Sequence, residues 1–376
     1  MFKFLSDLAP KVIALSDRFP WAIPLFGFGS GVASFLLVER KQELAQILAA
    51  LILASWCWLL MEKSMHRLVF RWFGFQLPQP LFAYATQLVH QESLFFVIPF
   101  FFITTAWNSG QAIYTGLLMI AAVISIVDPI YFRGLVPRRS WYFTFHGLTL
   151  FAILLTALPI IFHLPTAKSY YWALAIALLV TLAAVASESQ WRWWKRGLLV
   201  LILAGVLGAA GLWARPWIPP ATLWLTEVAI THSIDDANRA PENHLKTLSQ
   251  ADLRKGLYAY TAIHAPRGLN ERIYHVWLLN GKLVDKVALD INGGREAGYR
   301  AWSHKVNFPE NALGRWQIHV VTEANQLIGI LRFTVVAGAA SDNVADSPES
   351  TPSATSSSVP VTPDAAIKTP LMNLIE

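Results

Sequence analysis

The sequence predicts an α-helical transmembrane bundle of about seven helices, followed by a small all-β, immunoglobulin-like sandwich and a disordered tail. Three observations predict it. Hydrophobic residues make up 55% of the 376 and the mean hydropathy is +0.42, well above that of a soluble chain of this size. The stretch Gly197 to Ala214 contains no Asp, Glu, Lys or Arg, and a helix of about 20 apolar residues crosses a bilayer core of roughly 30 Å. After Pro220 the apolar pattern shortens to alternating runs divided by turn residues, the period of strands with one wet face.

In residues 1–20, Phe2, Leu5, Leu8, Val12, Leu15 and Phe19 recur every three or four positions beside Lys3, Lys11 and Arg18, which predicts an interfacial amphipathic helix. Seven apolar segments follow within the helical domain 21–218. They run roughly from Trp21 to Val38, Leu44 to Met61, Leu81 to Trp107, Gln111 to Val127, Trp141 to Phe162, Tyr170 to Ser187 and Gly197 to Trp217. Gly27 and Gly31 in the first suit close helix packing better than a phosphate loop, because no strand precedes them. The tight connection at Asn108 and Gly110 leaves a re-entrant hairpin open for the third and fourth segments.

Charge orients these segments. With the N-terminus inside, 12 Lys and Arg flank the cytoplasmic ends, among them Arg133, Arg138, Arg139, Arg192, Lys195 and Arg196. Only Arg40, Lys41, Lys168 and Arg215 lie on the other side. Basic residues gather on the cytoplasmic side of membrane proteins, so this bias and the odd helix number both predict an exported C-terminal domain. Residues 1–221 carry 16 Lys and Arg against 8 Asp and Glu, residues 222–337 carry 13 against 11, and the rest 1 against 5. The net charge of +6 therefore belongs to the membrane half, and a nucleic-acid partner loses its support. The single cysteine, Cys57, excludes a disulfide within the chain.

Over 222–337, strands are expected near Trp224 to Thr231, Leu257 to His264, Arg272 to Leu279, Lys282 to Ile291, Tyr299 to Phe308, Arg315 to Thr322 and Gln326 to Val336. Asn280-Gly281 joins the third to the fourth, since a type I′ turn needs positive φ at both central positions. About seven short strands in this length suggest the immunoglobulin-like sandwich. The polar stretch from Asp235 to Lys255, with Ser249 and Asp252 at capping-box spacing, reads as a crossover with a helical turn. From 338 to 376, Ser, Thr, Pro and Ala dominate and too little apolar surface remains to offset chain entropy, so disorder is expected.

Two groups of residues are candidates for function. Gln87, His90 and Glu92 in the third segment, with Asp128 after the fourth and His146 in the fifth, form an intramembrane polar set. Ionisable groups at that depth are costly unless they face a bundle interior or water. The set reads either as a proton or ion site or as a polar span end near the headgroups. In the β domain His275, Trp277, Arg300, Trp302, Arg315 and Trp316 are the binding candidates, since tryptophan stacks on sugars or fills partner pockets and arginine takes carboxylates. Tryptophans in such a domain are equally core fillers. Strand alternation puts His275 and His319 on outward faces of neighbouring strands. No histidine pair has zinc spacing, so neither a metal nor a cofactor is expected.

His275-x-Trp277, Asn280-Gly281, Arg300-x-Trp302-Ser303, Gly314-x-Trp316 and Phe333-x-Val335 resemble a bacterial family of C-terminal domains of unknown function. Here that domain is joined to a region similar to an uncharacterised bacterial multispanning membrane-protein family. The resemblance covers Tyr258 to Val336, implies a bacterial inner-membrane protein with a compact β module, and assigns no catalytic residue. The expected function is that of a polytopic protein embedded in the lipid bilayer whose periplasmic sandwich binds an envelope protein or glycan without catalysis. The alternative is an ion- or proton-coupled transporter using His90 and Glu92, with a regulatory β domain.

Overall fold

The structure, a computed structural model, describes residue 29 and residues 42–60, 79–188 and 191–338. The interfacial helix over 1–20, the first apolar segment with Gly27 and Gly31, the basic residues Lys63, Arg67 and Arg71, and the tail from 339 lie outside the described residues.

Six α-helices are described: α1 (Gln42–Leu60), α2 (Gln79–Thr104), α3 (Gln111–Ile126), α4 (Arg139–Phe162), α5 (Thr166–Glu188) and α6 (Trp193–Ala214). Four helical stretches, Ala83–Thr104, Arg139–Phe162, Thr166–Ser187 and Trp193–Trp217, are long and apolar enough to cross a membrane. Of the seven apolar segments of the sequence, the first lies outside the described residues; α1 carries the second, and α3 the fourth, which ends at Ile126 against an expected bound at Val127. After it the chain bends by 99° at Asp128-Pro129 into a π-helical turn (Pro129–Leu135), and counting that pair as one span raises the number among the described residues to five. Proline lacks the N–H and crowds the preceding turn, so α3 does not run on through it.

Side-chain bonds fix the helix directions. Gln46 of α1 donates to Ile160 O near the end of α4 (3.1 Å), while Trp56, further along α1, donates to Ser93 of α2 (2.8 Å). The α2–α3 connection is closed by Gln111, whose Oε1 accepts from Ala106 N at 3.0 Å. His163 at φ +54° ends α4 in the left-handed conformation, and Pro165 prevents its continuation. α4 is the central helix and mostly buried, whereas among the described helices α6 packs mainly on α5, through Gly208 and Gly211 against Leu178 and Leu174, and none of its residues is buried.

The C-terminal region is β-rich. Strands β1 (Trp224–Thr231), β5 (Leu257–His264) and β8 (Tyr299–Lys305) form one antiparallel sheet in the order β1-β5-β8. Strands β4 (Thr247–Ser249), β10 (Leu327–Val336), β9 (Gly314–Thr322), β6 (Asn270–Leu279) and β7 (Lys282–Asn292) form a second in the order β4-β10-β9-β6-β7, with β4 parallel to β10. One core, including Ile263, Ala301, Trp277, Trp316 and Phe333, joins the two sheets. Asn280 and Gly281 turn β6 into β7 at φ +49° and +81°, as their spacing predicts. The crossover holds a short hairpin of β2 (Ile234–Asp235) and β3 (Ala240–Pro241), then a 3-10 turn (Asp252–Lys255) capped reciprocally by Ser249 and Asp252.

The β region docks on one end of the bundle. Gln111 Nε2 donates to Leu327 O (2.9 Å), Gln326 Nε2 donates to Ile218 O (2.9 Å), and the Glu271 carboxylate accepts from Thr166 N (2.6 Å) at the start of α5. Gly268 meets the His163 ring, where a Cβ would come within 2.9 Å of it, and its φ of +82° also favours glycine. All these groups lie where α2, α4 and α6 end and α3 and α5 begin. Arg133, Arg138, Arg139, Arg192, Lys195 and Arg196 lie at the opposite ends of the same helices.

Glu271 is buried, and burial pushes its carboxyl above the ordinary 4.5 despite the bond from Thr166. An acid whose pKa is raised by folding binds more protons in the docked state, so docking weakens as pH rises from the ordinary carboxylate value through the raised one. Glu271→Gln, which keeps an oxygen acceptor, is expected to abolish that dependence. Glu271→Ala leaves the helix start uncapped and costs about 1 kcal/mol. Amide-exchange protection of Thr166 to Tyr170 across a pH series checks both.

Candidate functional site

The polar side chains of the bundle converge near the ends remote from the β region. On α2, Gln87, His90 and Gln91 stand at i, i+3 and i+4 and share a face, the geometry of neighbours on a helix. All three are buried, His90 completely. His90 Nδ1 lies 2.9 Å from the Tyr131 hydroxyl and His90 Nε2 lies 3.0 Å from His146 Nδ1. The Tyr142 hydroxyl is hydrogen-bonded to that of Tyr131. Tyr142, Tyr131, His90 and His146 thus form one chain of four groups, drawn from α4, the π-helical turn, α2 and α4 again.

A second network lies one turn away. Gln87 Nε2 donates to Asp128 Oδ1 (2.7 Å) and Ser125 O (3.0 Å), and Gln91 Nε2 donates to Ser125 O (2.6 Å). These bonds take up the carbonyl that α3 frees where it breaks before Pro129. Gln91 Oε1 is buried with no partner among the described residues. Trp56 of α1 closes the site, its ring centroid 4.6 Å from His146 and 5.6 Å from His90, while Phe145 lies 5.1 Å from His90.

Each member of the four-group chain both donates and accepts. A neutral imidazole has one N–H and one bare nitrogen, and a phenol has one O–H and free lone pairs. Two directions of donation are self-consistent along the whole chain. Hopping every proton one place along the chain turns one direction into the other without displacing a heavy atom, and it balances when a proton enters at Tyr142 as another leaves His146 Nε2, or the reverse. A proton added to the His90–His146 pair would lie in their 3.0 Å contact, with the Trp56 ring centroid 4.6 Å from that of His146.

Of the residues predicted from sequence, Gln87, His90, Asp128 and His146 come together. Glu92 does not: two residues beyond His90 turns it about 200° around the helix, and it makes none of the cluster's hydrogen bonds. It is half-buried instead. Tyr131, Tyr142 and Trp56 were missed. Their one sequence signal is the Asp128-Pro129 break, which brings the aromatic residues after it back toward α2.

In the β region the structure removes half of the proposed binding residues from the surface. Trp277, Trp316 and His275 are fully buried, with Trp316 stacked on Phe333 at 5.7 Å. His275 and His319 therefore do not share an outward face: His275 pairs with Val320 and points into the core, while His319 points out. The reason is parity, since Ile273, His275 and Trp277 alternate with the outward Tyr274, Val276 and Leu278. Inside, His275 bonds Ser303 Oγ (2.9 Å) and Thr261 Oγ1 (3.2 Å), and Trp277 Nε1 shares Ser303 Oγ (3.3 Å).

Arg300 and Trp302 lie outward on β8 but are held by the β2–β3 hairpin. Arg300 donates to Asn238 O, and the Arg239 guanidinium sits 5.2 Å from the Trp302 ring centre. Arg315 alone of the six is fully exposed. It stands on the outer face of the larger sheet with Arg332 and Lys286, and none of the three forms an ion pair among the described residues. No cluster of three or more His, Cys, Asp or Glu able to hold a metal occurs among the described residues.

A family model described as a family of unknown function (DUF5924) matches residues 2–259, and a second, described as a protein of unknown function (DUF2914), matches residues 270–335. The gap between the matches falls inside the β region, where β5 pairs with β8 and one core serves both sheets. The two matched stretches therefore share that fold. No curated protein and no solved structure matches the chain.

Burial pushes the His275 imidazole from the ordinary 6.5 down to about 4. A base with a lowered pKa binds fewer protons when folded, so its contribution is intact above about 6.5 and is lost as pH falls toward 4. The loss amounts to about 3 kcal/mol. Urea unfolding of the full chain, read by amide exchange in β6 and β9, is expected to show it. His275→Gln is expected to remove the largest part of it, leaving the shares of half-buried His264 and His319, whose imidazoles burial also lowers but whose exposure to solvent reduces the effect.

Proposed function

We propose that this chain, which belongs to the DUF5924 family of unknown function, is a multi-pass membrane protein whose bundle accepts and passes a proton along Tyr142, Tyr131, His90 and His146. The observation that carries this reading is the unbroken hydrogen-bonded chain through buried His90, assembled from three separate helical segments. Polar side chains in a bilayer are costly to bury and mark pathways or relays where they line a bundle interior. A π-helical turn at the same place supports the reading, because such turns recur at functional sites. Glu92, central to the transporter alternative drawn from sequence, has no part in the chain; Tyr131 and Tyr142 take its place.

Membrane placement is part of the proposal. The charge bias supports a cytoplasmic N-terminus with the β region on the other side of the membrane, and the resemblance to a bacterial family supports a bacterial inner membrane, which makes that side the periplasm. The basic residues from Arg133 to Arg139 and Arg192 to Arg196 flank the helix ends opposite those that carry the β region. The β region is proposed to be an immunoglobulin-like sandwich. Its strand order supports this, since β1-β5-β8 and β10-β9-β6-β7 follow the alternation of two antiparallel sheets with Greek-key crossing, and β4 extends the second.

Proteoliposomes carrying a pH-sensitive dye test the proton reading. Under an imposed potential, proton uptake is expected for the natural chain, at least tenfold less for His90→Leu, and unchanged for Glu92→Gln. Equal uptake by His90→Leu, or loss in Glu92→Gln alone, would sink it.

A second reading keeps the β region as a docking module for an envelope protein or glycan, without catalysis. Exposed Arg315, Arg332 and Lys286 on one sheet face favour an acidic partner. Reversing Arg315 and Arg332 to Glu is expected to abolish crosslinking to that partner from intact cells, while Trp302→Ala, whose ring lies under the hairpin, is expected to change it little.

A further inference from the structure

Among the described helices α6 packs mainly against α5, and the exposed side of its first three turns forms a groove with two chemical halves. Arg192 and Lys195 occupy the outer half with Trp191 and Trp194, and the inner half is lined by Leu198 and Ile202. Arg192, Lys195 and Ile202 follow one another at i, i+3 and i+10, so a single stripe of the helix runs from basic to aliphatic over about 15 Å. Trp191, Trp194, Leu198 and Ile202 are 59%, 49%, 51% and 54% exposed. The Lys195 ammonium lies 5.4 Å from the Trp194 ring centre, which holds the lysine at the level of the indole. Three cations, Arg192, Lys195 and Arg196, stand within five residues, against the single carboxylate of Glu188 upstream.

We infer that this groove binds an anionic phospholipid of the leaflet facing the basic loops, with the phosphate between Arg192 and Lys195 and an acyl chain along Leu198 and Ile202. A water-soluble anion would use the cations but not the aliphatic stripe. A zwitterionic lipid would use the stripe but leave the positive charge unbalanced. Only a lipid with net negative charge satisfies both halves, while the tryptophans sit at the depth where indoles prefer the headgroup boundary. The second copy of this chain that α6 could alternatively face would bring the same cations together and is disfavoured by like charge.

The inference rests on the membrane reading, and the test separates the two. Recovery of the full chain in the membrane fraction scores the membrane reading alone. Native mass spectrometry of the full chain in mild detergent, titrated with phosphatidylglycerol or phosphatidylcholine, scores the groove. Phosphatidylglycerol is expected to bind at least tenfold more tightly than phosphatidylcholine. The double variant Arg192→Gln, Lys195→Gln is expected to lose about twenty-five-fold in phosphatidylglycerol affinity, roughly fivefold for each basic group at an anionic surface. It should bind phosphatidylcholine as before, which shows that the bundle is intact. Arg315→Gln, a charge change of the same sign in the β region, is expected to change neither. Equal binding of the two lipids, undiminished phosphatidylglycerol binding by the double variant, or a dimer that Trp194→Ala dissolves would overturn the proposal.

Discussion

The bond from Thr166 N to the Glu271 carboxylate is the contact on which the relation of the two halves depends. A helix start presents unsatisfied N–H groups and the positive end of its dipole, and both favour an anion there. In most helices that anion comes from the same turn. Here it arrives from β6, more than a hundred residues along the chain. Arg215, buried at the end of α6 between the Tyr170 and Tyr171 rings at 4.7 and 4.9 Å, supplies an opposing charge in the same region. Its Nε and Nη2 have no hydrogen-bond partner among the described residues, so its charge is balanced by ring faces and by the field of Glu271. Two groups that each need the other's half of the protein make separation of the halves costly.

That constraint has a consequence for the bundle. α2 carries His90 toward one end and, through Ala106 and Gln111, meets Leu327 of the β region at the other. From His90 to Thr104, where α2 ends, is about 21 Å of helix. The β region is thus fastened to the element whose polar face carries His90 and its hydrogen-bonded chain.

The legibility of the fold tracked the kind of signal involved. Strand boundaries were readable because alternation survives in a small domain with one shared core: β9 buries Trp316, Ile318 and Val320 and turns Arg315, Gln317 and His319 outward, as its sequence says. The same parity turns Ser303 inward and His304 outward on β8. It did not tell which face of β6 was inward, because Tyr274, Val276 and Leu278 are as apolar as Ile273 and Trp277. The sign depends on pairing with β9, which no local pattern contains. His275 was placed outward for that reason. In the bundle, composition bounded the fourth segment at Val127 and the helix ends at Ile126; what hydropathy did not tell is that the chain bends by 99° at Asp128-Pro129 into the π-helical turn that follows.

The polar site was half legible for a geometric reason. Gln87, His90 and Gln91 announce a face because they repeat at helical spacing on one element. Tyr131 belongs to a π-helical turn, whose period of side-chain directions no window of 3.6 residues reproduces, and Trp56 reaches the site from a helix that is otherwise plain. Sequence proximity pulled Glu92 into the set, although helical rotation turns it away. Where charge and periodicity disagree inside a membrane, periodicity decides which groups can meet: a carboxylate on the wrong face must find water or headgroups, whereas neutral histidines and phenols on the right face satisfy one another. The chain from Tyr142 to His146 contains no formal charge for that reason; a proton passes along it only when one enters at one end as another leaves at the other, since a shift within the neutral chain would leave a tyrosinate and an imidazolium behind.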